Sequence, residues 1–223
     1  MSRFGKLVFS VAAFLVIASA GLTARADTIT ITGVGTGQAS TATIVCDFNS
    51  QTNTLTFTIT NTSNITQPGS TSTITGIGFD LPPAGNASGS GLNGFTGMQA
   101  PSLSANFTFT DADVGTVPDG LNSHVLDFAF ITGPSGTFSG GSVNDGLAPG
   151  ESASFTVTGA AFSGFTAEQI CNAVFVRFQG ISGNIASDVG VPTSVPEPSS
   201  ILLLGGALLG LGGFGRSKLR PRN

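Results

Sequence analysis

The stretch NTLTFTITN, residues 53–61, decides the fold class. Leu55, Phe57 and Ile59 alternate with Thr54, Thr56, Thr58 and Thr60. Successive side chains of an extended chain point to opposite faces, so this order gives one apolar face and one hydroxyl face, as in a half-buried β-strand. The same spacing recurs outward in both directions: TITIT (28–32), TATIVCDF (41–48), TITGIGFDL (73–81), ANFTFT (105–110), HVLDFAF (124–130), ASFTVTG (153–159) and AVFVRFQG (173–180). Clusters rich in Gly, Pro, Asn and Asp, such as LPPAGNASGSG (81–91) and LAPGES (147–152), punctuate these runs. Eight short strands with turn residues between them predict an all-β body, an antiparallel β-sandwich of Ig-like or jelly-roll-like form. One helical turn is expected at 166–172, where Thr166 and Gln169 have the spacing of a capping box ahead of Ile170. No fixed-period repeat is present, which disfavours a solenoid or propeller.

The two ends differ from this body. Residues 1–26 begin with Arg3 and Lys6, continue as the apolar run LVFSVAAFLVIASAGL, and finish at Ala24-Arg25-Ala26. That order reads as a removable signal peptide, which implies Sec export and signal peptidase as partners. Residues 27–191 form the β-domain, 192–200 a Pro-rich linker, 201–215 an apolar run with six glycines, and 216–223 a basic tail carrying Arg216, Lys218, Arg220 and Arg222. As a helix the apolar run would span ~22 Å against a hydrocarbon core of ~30 Å, which makes it a marginal membrane span. The basic cluster behind it would stay cytoplasmic, holding the body outside.

The order Val195-Pro196-Glu197-Pro198-Ser199, then a Gly/Leu-rich span, then an arginine-rich end resembles the PEP-CTERM sorting signal of Gram-negative bacteria that make exopolysaccharide. The resemblance covers about the last 29 residues, from 195 to the end. It implies recognition of the Pro-Glu-Pro motif by exosortase, a membrane-embedded cysteine transpeptidase, transient anchoring in the inner membrane, removal of the hydrophobic tail, and a final place on the outer surface or in the extracellular matrix. The alternative is an ordinary single-span anchor behind a Pro-rich linker. The turn phrases of the body, TGIGFDLP, LDFAF, LAPGES and AVFVRFQG, also resemble bodies of other PEP-CTERM proteins, which implies a surface β-domain of undefined activity.

Charge narrows the partners further. Between residues 27 and 194 eleven Asp and Glu face a single cation, Arg177, a formal charge of −10. Nucleic acid and anionic lipid bind chiefly through Lys and Arg, so neither is expected as a partner of the body. Cys46 and Cys171 are the only cysteines, and in an exported chain one disulfide is the natural reading, with two buried thiols as the alternative.

Candidate chemistry is sparse. His124 is the sole histidine, with Ser123 beside it and Asp127 nearby, but neighbours on a strand point to opposite faces and cannot make a nucleophile–base pair. Asp111 and Asp113 come nearest to a Ca²⁺ site, yet Val114 and Thr116 stand where further oxygen ligands would be needed. Phosphate-loop, dinucleotide and nucleophile-elbow motifs are absent from the sequence, and no cofactor is expected. The expectation is therefore a non-enzymatic surface or matrix protein, structural or glycan-associated, within an exopolysaccharide layer. The alternative is a secreted hydrolase in which two of Asp111, Asp113, Asp127 and Glu151 meet in a cleft.

Overall fold

The computed structural model describes residues 27–64, 71–82, 92–101, 105–112, 114–121, 123–133, 136–181 and 187–193. Among these residues ten strands appear: β1 (Asp27–Gly33), β2 (Gly37–Asn49), β3 (Thr54–Asn61), β4 (Thr73–Phe79), β5 (Phe95–Gln99), β6 (Phe107–Thr110), β7 (Phe128–Thr132), β8 (Ser152–Gly159), β9 (Val174–Gln179) and β10 (Ser187–Thr193). Among the described residues one short α-helix, α1 (Ala167–Cys171), precedes β9. Its capping box forms as expected, Thr166 Oγ1 accepting from Gln169 N and Gln169 Oε1 accepting from Thr166 N.

The all-β, antiparallel expectation holds, but the strand count and the arrangement differ from a sandwich of eight. All ten strands join one sheet in the order β5-β8-β3-β2-β1-β10-β9-β4-β7-β6. That sheet curls until its first and last members meet, giving a nearly closed barrel. Alternation specifies an apolar face, and it is silent on whether two such faces belong to one sheet or to two. The interior is narrow enough for rings on opposite walls to touch: Phe57 of β3 lies 5.3 Å from Phe79 of β4 and 6.0 Å from Phe130 of β7, centroid to centroid. Strands β1 and β10 carry the sheet around from one wall to the other.

Between β5 and β6 the sheet is not joined by ladder hydrogen bonds, and side chains take their place. The Gln99 amide donates to Ala105 O at 3.0 Å and accepts from Phe107 N at 2.7 Å, acting as a surrogate peptide group. Asp111 Oδ2 accepts from Gly94 N and Phe95 N, both at 3.0 Å. Phe109 lies flat over Gly97, where an added Cβ would stand 2.0 Å from the ring.

The two walls are covered differently. β3 keeps its read pattern, with Leu55, Phe57 and Ile59 buried and the threonines facing out. β4 and β7 are buried along their whole length. Their outer side is roofed by a second apolar cluster that includes Val117, Leu126, Ile131, Phe138 and Phe175. Gly76 and Gly78 make room for this roof: a Cβ on Gly78 would sit 2.6 Å from Leu126 Cδ1, and one on Gly76 3.2 Å from the Phe138 ring.

Each barrel end is closed by its own device. At one end the turn Ala160–Phe162 and helix α1 insert Phe162 and Ile170, both fully buried, with Phe162 against the rings of Phe48 and Phe95. At the other, Ser40, Ser63 and Ser72 form a buried hydroxyl chain, and Asn61 Nδ2 donates to Ser72 O and Leu147 O. Asn61 opens an Asn-Thr-Ser triplet, and burial of its side-chain amide leaves no access for glycan attachment there.

Candidate functional site

The α1 end of the barrel is where both chain ends leave the described structure. Asp27 opens β1 opposite Cys46, and Thr193 closes β10 opposite Thr30, so the two exits lie on neighbouring strands at the same end. Thr193 Oγ1 donates to Thr30 O at 3.1 Å and ties the last residue of β10 to β1. The ladder runs through Thr193, two residues past the expected limit of the body at 191, so the stretch expected as a linker from 192 begins inside the sheet. Pro192 is tolerated because it lies beyond the last residue of β10 that pairs with β9, Gly190.

The expected disulfide is present at this same end. Cys46 of β2 and Cys171 of α1 are bonded, their Cα atoms 6.0 Å apart and 125 residues apart in sequence. A loop of this length lets the bond restrict the unfolded chain by about 4–5 kcal/mol in the loop-entropy treatment. The bond also locks the α1 plug to the strand that pairs with the amino-terminal exit.

Each of the described acidic candidates accepts from backbone amides. Asp111 is occupied at the β5–β6 seam and lines an open cleft of about 520 Å³ with Leu92, Asn93, Val114, Val125 and Leu126. It is the one carboxylate among the described lining residues. Asp113 lies outside the described residues. Glu151 is at the opposite end, where it accepts from Ala148 N and closes the turn before β8. Asp127 is buried at 3 % exposure, and its two oxygens accept from Leu81 N and Leu92 N. Burial pushes the Asp127 carboxyl up to about 6, against the opposing pull of the Leu92 and Leu81 amides and with the nearby charge of Asp80 adding to the rise. His124 precedes β7, and its Nδ1 lies 2.7 Å from Asp80 Oδ2 while its ring packs on Phe175. Ser123, His124 and Asp127 thus form no nucleophile–base–orienter series. Among the described residues no group of three or more His, Cys, Asp and Glu is placed to hold a metal ion.

Two polar devices leave little trace in the sequence. Asp188 of β10 accepts from Gly35 N at 2.9 Å and from Thr36 N at 2.7 Å, clasping the β1–β2 turn, and nothing near Asp188 in sequence signals that reach. Arg177 projects from β9 into the outer cluster at 7 % exposure, donating to Ser187 Oγ at 3.0 Å with Asp119 Oδ2 at 3.6 Å. Burial lowers its pKa, while Asp119 and Asp188 favour the charged form. Its location among Val174, Phe175, Val176 and Phe178 in the strand VFVRFQ was the available hint. Because this sole cation is buried, the exterior of the described body carries carboxylates and neutral groups.

The motif residues Val195, Pro196, Glu197 and Pro198, the apolar run 201–215, and Arg216, Lys218, Arg220 and Arg222 lie outside the described residues, as does the expected signal peptide. Comparison with known families speaks to most of that tail: the model described as the PEP-CTERM protein-sorting motif matches residues 194–218. The chain carries a PEP-CTERM sorting motif. The match includes Val195 to Pro198, Arg216 and Lys218, and it starts one residue after β10 ends. The PEP-CTERM motif implies export, transient anchoring in the membrane and processing by exosortase. No curated protein and no solved structure matches the chain. Among the described residues no helix is long and apolar enough to cross a membrane.

Proposed function

We propose that this chain is a non-enzymatic component of the cell surface or extracellular matrix, delivered by its PEP-CTERM signal and associated with the exopolysaccharide layer. The observation that carries the reading is the join itself: the sorting motif follows, without a spacer, a disulfide-closed β-body. The outer face of the β1-β2-β3-β8 wall supports the same reading. It presents Thr and Ser in register across strands, including the pairs Thr58–Ser154 and Thr60–Ser152, whose hydroxyls meet at 2.7 and 2.8 Å. Such a face is neutral apart from Asp47 and hydrogen-bonds readily to water and to hydroxylated polymers, while the body's charge of −10 repels acidic ones.

In this reading the body is exported, held briefly by the tail, cut near the motif, and then retained at the surface or released into the matrix. Cell fractionation tests it directly. Wild type is expected in the outer-surface or matrix fraction, with Glu197→Ala accumulating as full-length protein in the inner membrane. Identical fractionation of the two would refute sorting through the motif. Pull-down of the purified body with exopolysaccharide from the same cells tests the glycan association, and no retention there would leave a structural coat role alone.

A further inference from the structure

The spacing between β10 and the sorting motif has a steric consequence. Thr193 is hydrogen-bonded into the sheet, and Glu197 is four residues later. A fully extended chain advances at most ~3.6 Å per residue, so Glu197 lies within about 14 Å of Thr193 whatever path the chain takes. A single helix with its side chains is already about 10–12 Å across. An enzyme that closes walls around the Pro-Glu-Pro motif therefore meets the barrel while β10 stays in the sheet. The length to the apolar run gives the same result for the bilayer, because Ile201 is within about 29 Å of Thr193.

From this we infer that the α1 end of the barrel is a docking surface for exosortase. It consists of the start of β1 and the exposed side of α1, with Asp27, Thr28, Glu168 and Asn172 open to solvent. The inference rests on the sorting reading and adds to it that the body is part of the substrate. The geometry around the surface is firm. β10 ends between β1 and β9, α1 leads directly into β9, and the Cys46–Cys171 bond fixes α1 to β2, the strand paired with β1. The opposite end, with Pro149 exposed on its turn, faces away from the membrane during processing.

Site-specific photo-crosslinking in whole cells tests this. A photoreactive amino acid replaces Thr28, Glu168 or, as the distal control, Pro149, in cells whose exosortase carries an inactivated catalytic cysteine so that the bound state persists. The expected result is an adduct at positions 28 and 168, identified by mass spectrometry as exosortase, and none at 149. Inserting a Gly/Ser spacer of about twelve residues after Thr193, long enough to move the motif well clear of the barrel, should reduce those adducts several-fold, with the disulfide still present by non-reducing mass analysis. Equal adducts at 149, no adduct at 28 and 168, or adducts indifferent to the spacer would overturn the docking surface. In active cells, processing that still depends on Glu197 would show that only the docking surface had failed, whereas processing indifferent to Glu197→Ala would mean that the sorting reading had failed first.

Discussion

The two walls of the barrel solve the same problem in different ways. The β1-β2-β3-β8 wall buries one face and leaves the other wet, so its strands alternate apolar residues with Thr and Ser. The β4-β7-β9 wall is covered on both sides, so apolar residues fall on both faces of its strands without strict alternation, interspersed with Gly76, Gly78, Arg177 and the buried Thr73, Thr75 and Thr132. Sequence period is thus a record of how many faces are covered. In the dry wall the glycines are the imprint of the roof, since Leu126 and Phe138 occupy the space their side chains would fill. Substitutions should be nearly silent on the wet face and costly on the dry one, with the disulfide as the covalent tie between the walls.

The largest effect is expected at that tie. Cys46 belongs to the wet wall, and Cys171 leads into β9 of the dry one. Cys46→Ser should cost about 2–5 kcal/mol, read as a fall in Tm under non-reducing conditions. Cys171→Ser should match it, and the double variant should add little, because each change removes the same bond. Additive losses would show that the thiols act separately.

Next comes the roof. Gly78→Val drives a side chain into Leu126 and should cost about 1–3 kcal/mol by overpacking. Chemical denaturation is the check. An unchanged midpoint would mean that the roof does not pack on β4.

A comparable effect should follow pH. The Asp127 carboxyl titrates in the folded protein near 6, above the ordinary 3.8. The folded state therefore holds its proton more tightly than the unfolded state does. The corresponding stability is fully present below about pH 4 and is lost as pH rises through 6, a change on the order of 3 kcal/mol in all, of which about 2 kcal/mol falls between pH 4 and 6. Asp127→Asn should remove that slope between pH 4 and 6 relative to wild type. Parallel profiles for the two proteins would contradict the assignment to Asp127.

The smallest effect belongs to the wet face. Thr58→Val keeps the β-branched shape and removes only the hydroxyl pair with Ser154, so it should change stability by less than about 0.5 kcal/mol. A loss as large as that of Gly78→Val would erase the distinction between the walls.

Legibility from sequence follows the same division. TITIT and NTLTFTITN gave their strands directly, because an alternating pattern has few other solutions. β5, FTGMQ, escaped notice because Gly97 receives a ring instead of supplying a side chain, and because Gln99 works on a neighbouring backbone. β10, SDVGVPT, was hidden by Gly190 and Pro192, which discourage a strand reading although one flank of the strand ends before the proline. Closure of the sheet was illegible for a different reason, since β5 and β6 meet through side-chain contacts whose partners no local pattern specifies. The disulfide was legible because two cysteines permit one pairing. Of the candidate site, the tail motif could be read as a linear signal, but its immediate attachment to β10 required the register of the sheet. Asp127 carried a clue, an acid within the apolar run LDFAF, though not the identity of its amide partners.

The most direct test of the central claim, that this disulfide-closed barrel is exported and released from its tail at the sorting motif, is the intact mass of the protein recovered from the cell surface and the medium. The expected mass is that of a chain beginning at Asp27, oxidised at Cys46 and Cys171, and lacking the apolar run 201–215 and the basic tail, apart from any group transferred to its new end. Recovery of the surface protein with residues 201–223 still attached would contradict it and leave a permanently anchored protein in its place.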